Sequence, residues 1–262
     1  LLLAPLAPLS WEGARLVFLC VVAPPLELSF WLCIRTLRIP IGHPAGIALL
    51  ALAFFSWPVI WGLRLLQLTL PVAALILISW FLIARGRQIV PGILLALVTI
   101  KPQLVLPVLA WLFFWSIMRR RWSLILSFAA AEALLLAATE YVVPGWFGHW
   151  LASIHNYTGL TQTAIPLEHL LGHWLGLALT LIIVGACVAI LWKLRRAEAD
   201  SADFAQAMSL ILATTVCLVP MNAPLIYNYV LLVPGFLVLA FSRQDGALAA
   251  VLRILALAQL AL

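Results

Sequence analysis

Long apolar segments follow one another along almost the whole chain, and only short polar connections separate them. Hydrophobic residues fill 66% of the 262 positions and charged residues only 9%, against about 25% charged residues in an ordinary soluble domain. Too few polar side chains remain to cover a surface that faces water. The sequence therefore predicts an integral membrane protein and excludes a water-soluble domain.

The apolar segments predict membrane-spanning α-helices, each of which needs about 20 largely apolar residues. Unbroken apolar runs lack the alternation of a membrane β-barrel. We therefore predict an all-α, polytopic transmembrane helical bundle of about ten helices, forming a single transmembrane domain over residues 1–262. The second, fourth and eighth segments are short and could be tilted, broken or re-entrant. The ten segments are 12–33, 46–57, 68–84, 89–100, 103–118, 122–143, 171–192, 207–218, 227–241 and 247–262.

Basic residues concentrate in every second connection, which predicts the orientation. If the connection holding Arg85 and Arg87 is cytoplasmic, the alternation puts eleven of the 15 Lys and Arg residues on that side, as the positive-inside rule expects. The net charge of +6 is then a topology signal, and without a basic patch nucleic-acid binding is not predicted. The eleven residues are Arg35, Arg38, Arg85, Arg87, Arg119, Arg120, Arg121, Lys193, Arg195, Arg196 and Arg243.

The unusual polar residues collect on the opposite, outer side, so we expect any working site to face the exterior or periplasm. The longest outer connection is about residues 144–170. Within it Trp146, Phe147 and Trp150 share one helical face and His149 and Ser153 another, which predicts a helix in the membrane interface. This helix could be a plain anchor or could face a substrate. The other polar residues of the connection are His155, Asn156, Tyr157, Gln162, Glu168 and His169.

Two cations, Lys101 and Arg64, lie on the outer side, which basic residues usually avoid. A Lys or Arg at depth is unfavourable by about 2.5–3.5 kcal/mol, so it usually has a partner or a task. One interpretation is that they snorkel to the outer headgroups. The other is a phosphate clamp, because a cation binds phosphate strongly where water is scarce.

Other candidate sites are weaker. Glu27 and Glu132 lie within predicted helices and are expected to pair between helices, although a proton relay is an alternative. The spacing of His169 and His173, together with Glu168, would suit zinc, but no further ligand is evident and no metal or cofactor is predicted. The cysteines Cys20, Cys33, Cys187 and Cys217 lack paired spacing, so no disulfide is expected.

Several motifs occur in the order found in a known family. The chain resembles glycosyltransferase family 87, the polyprenol-phosphate-mannose-dependent mannosyltransferases of the membrane-embedded GT-C class. The most specific likeness runs from Pro91 through Lys101-Pro102-Gln103 to the Arg119–Trp122 run. The remaining similar motifs are Leu1–Leu6, Leu63-Arg64 through Gln67, Pro144-Gly145-Trp146 with Trp150 and Tyr157, Thr161-Gln162-Thr163, Tyr227-Asn228-Tyr229 and Leu231–Pro234.

The resemblance implies transfer of a hexose, usually mannose, from a polyprenyl-phosphate sugar to a lipid-linked or glycan acceptor at the outer face of the cell membrane. Lys101 and Arg64 would bind the donor phosphate. Members carry a presumed catalytic aspartate in a first outer loop, whereas the first Asp here is Asp200. We therefore expect that aspartate upstream of Leu1 and the chain to be a fragment. Asn228 stands where many members have His. The remaining residues expected at the substrates are Gln67, Gln103, His155, Asn156, Tyr157, Gln162, Tyr227 and Asn228.

Two other classes of function fit a polytopic membrane chain. A transporter or lipid flippase would show internal repeats and a polar pathway through the membrane, whereas the polar residues here gather on one side. A non-catalytic membrane scaffold would be favoured only if no upstream catalytic loop exists.

The predicted orientation can be tested by cysteine labelling in intact cells, in a background without the four native cysteines. A membrane-impermeant maleimide should label Ser153→Cys, because residue 153 is predicted outside. It should label Ser201→Cys only after the cells are opened. Labelling of residue 201 but not 153 in intact cells would reverse the orientation.

Overall fold

The computed structural model describes residues 8–39, 44–160, 164–219 and 226–241. In this part of the chain the elements are helices and turns without a strand, which confirms the predicted all-α class. The helices are α1 (Trp11–Thr36), α2 (Pro44–Phe54), α3 (Trp57–Arg64), α4 (Thr69–Ala84), α5 (Ile89–Leu97), α6 (Pro102–Met118), α7 (Trp122–Val142), α8 (Trp146–Leu160), α9 (Pro166–Leu171), α10 (His173–Leu194), α11 (Ala202–Leu218) and α12 (Val233–Phe241). Two 3-10 turns, Val98–Ile100 and Ile226–Leu232, follow α5 and precede α12.

The helices fall into two length classes. Among the described residues α1, α7 and α10 have 26, 21 and 22 residues and are long and apolar enough to cross a membrane. The apolar helices α4, α6 and α11 have only 16, 17 and 17 residues. The prediction of many apolar helices is confirmed, and several of them are shorter than a full span.

The structure corrects some predicted boundaries. The predicted segment 46–57 is helix α2, which ends at Phe54. A separate helix, α3, which was not predicted, follows from Trp57, because Ser56 is extended (φ −61°, ψ 149°) and Pro58 stands in the first turn of α3. The segment 207–218 begins earlier, at Ala202, where the Ser201 side chain accepts a hydrogen bond from the Phe204 N–H at 3.2 Å. The outer connection holds two helices, α8 and α9. The segment 247–262 lies outside the described residues.

The predicted cytoplasmic connections meet at one end of the bundle. Arg38 forms an ion pair with Asp200 at 3.3 Å, and Arg119 forms one with Glu198. The Trp115 indole N–H donates to the Ala197 carbonyl at 2.9 Å. We call this end the basic end. The opposite end, where α4 and α6 begin, is called the Lys101 end.

Helix α4 lies at the centre, with ten buried residues and α1 and α5 packed against it. The indoles of Trp80 and Trp115 are almost fully buried, and the Trp115 ring lies 4.8 Å from that of Phe204. In contrast, Leu124 is the one buried residue of α7, so most of the apolar surface of α7 faces outward. Apolar side chains on such an outward face are what a lipid environment requires.

Helices α5 and α7 pack very closely at Gly92. A Cβ atom added there would lie 1.9 Å from Ser127 Oγ and 2.6 Å from the Leu124 carbonyl oxygen. The serine hydroxyl could rotate away, but the helix carbonyl is fixed. The close approach therefore depends on the absence of a side chain, as is common between membrane helices.

We expect Gly92→Ala to force α5 and α7 apart and to lower stability by about 1–3 kcal/mol, the usual range for overpacking. Gly185→Ala is the matched control, because a Cβ on that residue of α10 meets nothing within 4 Å. Thermal unfolding of both purified variants in the same detergent gives the comparison. Equal unfolding midpoints for the two variants would contradict the packing argument.

Candidate functional site

Lys101 lies well below the end of the long helix α7. The Thr99 hydroxyl, two residues before Lys101, bonds Glu132 of α7, and α7 continues for ten more residues to Val142. The start of α6 therefore lies alongside the middle of α7.

A chain of polar contacts joins three separate elements at the Lys101 end. The Lys101 ammonium donates to Thr69 Oγ1 at 2.6 Å, and the Thr69 hydroxyl donates to Asn228 Oδ1 at 2.9 Å. Lys101 precedes α6, Thr69 begins α4, and Asn228 lies in the Ile226–Leu232 turn. Thr69 and Asn228 are 0% and 2% exposed, so their hydrogen bond satisfies polar groups that water cannot reach.

The local sequence explains why Lys101 stands at this point. Pro102 occupies the first turn of α6, where its missing N–H is not needed. Proline also disfavours helix at the residue before it, and Lys101 is correspondingly non-helical (φ −131°, ψ 71°). The chain therefore breaks between the Val98–Ile100 turn and α6, which leaves the Lys101 side chain at a helix end.

The sharp turn at the end of α3 positions Thr69. Leu66 adopts a left-handed conformation (φ 53°), which leucine does not favour. The Gln67 N–H then bonds the Gly62 carbonyl at 2.9 Å and the Leu66 N–H bonds the Leu63 carbonyl at 3.3 Å. These are the two bonds of a Schellman motif, and they turn the chain sharply from α3 into α4.

An aromatic ring completes the surroundings of the ammonium. The Lys101 Nζ lies 5.0 Å from the centroid of the Tyr227 ring, within the range of a cation–π interaction. The turn that carries Tyr227 packs against α3, α4 and α11. Lys101 and Tyr227 are 126 positions apart, so the fold alone brings them together.

The charge of Lys101 has no acidic partner in the described part of the chain. The carboxylates there that contact a basic group are Asp200 with Arg38, Glu198 with Arg119 and Glu168 with His173, so none contacts Lys101. Thr69 takes one of the three N–H donors of the ammonium. A half-buried cation with remaining donors and no neighbouring carboxylate favours an anion as ligand.

A second polar contact holds the segment before Lys101. The Thr99 hydroxyl lies 3.1 and 3.3 Å from the two carboxyl oxygens of Glu132 on α7, and 2.7 Å from the Ala96 carbonyl. The expected interhelical role of Glu132 is therefore confirmed as a bond to Thr99. This contact ties the Val98–Ile100 turn to α7, close to the point where Lys101 leaves it.

Other predicted residues lie outside this polar chain. Arg64 is exposed at the end of α3, with its guanidinium 5.5 Å from the Trp61 ring centroid. Gln67 is half-buried between α3 and α4, and Gln103 is exposed in the first turn of α6. The helix α3 packs against the turn that carries Tyr227 and Asn228, which keeps Arg64 and Gln67 on the Lys101 end.

The predicted interfacial helix is confirmed as a helix, α8, and its Phe147 and Trp150 rings stack at 5.8 Å. Nearby, Glu168 accepts from the Ile165 N–H at 3.0 Å and lies 2.8 Å from His173 Nδ1. Glu168 and His173 are thus occupied with each other, and no group of three metal-binding side chains occurs in the described residues. The side chains of His155, Asn156 and Tyr157, and all of Gln162, lie outside them.

Sequence reasoning missed Thr69 and Thr99. Both are threonines inside apolar runs, and threonine in a membrane helix usually bonds its own backbone. Thr69 stands at the first position of a helix on the same predicted side as Lys101, and that position is the signal that could have identified it.

Comparisons with known proteins give one match. No curated protein and no solved structure matches the chain significantly. The model of glycosyltransferase family 87 matches residues 1–220, a range that includes Thr69, Thr99 and Lys101 and ends before Tyr227 and Asn228. This match covers most of the 262 residues, and the chain therefore belongs to glycosyltransferase family 87.

Proposed function

We propose that this membrane glycosyltransferase uses a polyprenyl-phosphate sugar as donor and that Lys101 binds the donor phosphate. The observation that carries the proposal is the position of the Lys101 ammonium, half-buried below the end of α7 and without a carboxylate partner among the described residues. A lipid phosphate can reach such a depth from the adjoining leaflet while its chain stays in the membrane.

The chemistry of transfer favours a cation at this point. As the bond between the sugar C1 and the phosphate oxygen breaks, the acceptor oxygen bonds to C1 and the acceptor proton passes to a base. The donor phosphodiester carries one negative charge, and the departing monoester gains a second. A fixed ammonium stabilises that developing charge more than the ground state, which is what accelerates a reaction.

The remaining site residues are assigned by their place around Lys101. Arg64 would be the second phosphate ligand, reaching from the end of α3. Gln67, Gln103 and Tyr227 would contact the donor, since they lie on the elements that meet at the Lys101 end. Asn228 is buried, so it would act through its hydrogen bond with Thr69 and would not touch the donor. His155, Asn156, Tyr157 and Gln162 would line the side facing the acceptor. The sugar would be a hexose, with mannose first, and the acceptor a glycan or a lipid-linked sugar.

The predicted orientation gives the site its location. With the basic end in the cytoplasm, the Lys101 end faces the exterior or periplasm of the cell membrane. Donor and acceptor would meet there.

Replacing Lys101 tests the phosphate role in membranes that contain the full-length protein. Loss of one charge-assisted hydrogen bond, worth roughly 1.5–3 kcal/mol, should reduce use of polyprenyl-phosphate mannose by about ten- to a hundredfold in Lys101→Met. Lys101→Arg should be milder because it keeps the charge. Lys193→Met is the matched control at the basic end. If Lys101→Met transferred the sugar at the wild-type rate, Lys101 would not bind the donor phosphate and would serve only as an anchor that extends to the headgroups.

The polar chain behind Lys101 gives a separate prediction. Thr69→Val removes the hydroxyl that accepts from Lys101 and donates to Asn228, so it should raise the donor KM by about tenfold. Thr69→Ser should restore it. Thr215→Val is the matched control, because that equally buried hydroxyl bonds only the Ile211 carbonyl of its own helix, at 2.8 Å. If the two valine variants had the same donor KM, Thr69 would have no specific role in donor binding.

A further inference from the structure

A cavity of about 440 Å³ opens at the basic end, far from the proposed transfer site. It lies where the last turns of α1 and α4 come together, and these two helices pack against each other along their length. Three arginines contribute to its wall, Arg35, Arg38 and Arg85, together with one carboxylate, Asp200.

The charges of the cavity do not cancel. Asp200 pairs with Arg38 at 3.3 Å, and Arg35 and Arg85 have no carboxylate within 4.0 Å in the described part of the chain. Within the described residues, the wall thus keeps two arginine charges that no carboxylate neutralises. A concave surface with such an excess attracts an anion.

The two unpaired arginines are held in place by rings on their own helices. The Arg35 guanidinium carbon lies 5.5 Å from the Trp31 ring centroid, and that of Arg85 lies 4.9 Å from the Phe81 ring centroid. Each ring is one helical turn back from its arginine, toward the middle of the bundle. The guanidinium groups therefore lie back along the helices, at the level of interfacial aromatic residues.

We infer that this cavity binds the phosphate of an anionic phospholipid in the leaflet at the basic end. The planar guanidinium groups of Arg35 and Arg85 can each bond a phosphate through two parallel N–H donors. The Arg38–Asp200 pair closes one side of the cavity, with its carboxylate directed to Arg38. A lipid fits better than a soluble phosphate, because basic pockets between membrane helices at the headgroup level suit anionic headgroups.

The test measures phosphatidylglycerol binding to the full-length protein in nanodiscs, by native mass spectrometry and by thermal shift. Phosphatidylcholine is the reference lipid, because its positively charged choline group is repelled by the arginines. Arg35→Gln with Arg85→Gln should weaken phosphatidylglycerol binding by about thirtyfold. Arg87→Gln with Arg120→Gln is the matched control, since both are exposed arginines at the same end and neither lines the cavity. If the two double variants lost phosphatidylglycerol binding equally, the loss would reflect general surface charge, and the proposed site would be wrong.

A further variant remains informative if the double arginine variant does not insert correctly. Asp200→Asn removes the one carboxylate of the cavity wall, so it should tighten phosphatidylglycerol binding severalfold. Unchanged or weaker binding in Asp200→Asn would count against the site. Inorganic phosphate at millimolar concentration should not displace the lipid, and displacement would assign the cavity to a soluble anion instead.

Discussion

The hydrogen bond from Lys101 to Thr69 is the contact on which the arrangement of the Lys101 end depends. An ammonium away from bulk water requires partners for its donors, and Thr69 passes the contact on to Asn228. The three residues come from the starts of α6 and α4 and from the Ile226–Leu232 turn. These two hydrogen bonds therefore hold the starts of α4 and α6 and the Ile226–Leu232 turn side by side, although the three are distant in sequence.

Helix α7 sets the depth of this contact. Thr99, two residues before Lys101, bonds Glu132 in the middle of α7, so α7 continues for ten residues beyond this level. A half-buried ammonium beside that helix is partly screened from water, which strengthens its attraction to an anion.

The sequence was sufficient for the class of fold and for placing Lys101 at the end of the bundle opposite the basic connections, because apolar length and basic connections are directly readable. It identified Lys101, Tyr227 and Asn228 as candidates, but not that they meet, since their proximity depends on how the helices pack. The break at Ser56 was missed because the apolar pattern continues through it. Leu66 could not be recognised either, since a left-handed leucine has no signature in sequence.

The cations at the two ends of the bundle contact different kinds of group. Carboxylates pair with arginines at the basic end, whereas a hydroxyl and an aromatic ring contact Lys101. At the basic end Arg38 and Arg119 pair with Asp200 and Glu198 from a single connection, so part of the basic charge joins the connection between α10 and α11 to α1 and α6. At the Lys101 end the described contacts of the Lys101 ammonium are a hydroxyl and an aromatic ring, without a carboxylate. A carboxylate there would occupy the place of a phosphate, and its absence from these contacts leaves the charge of Lys101 available to one.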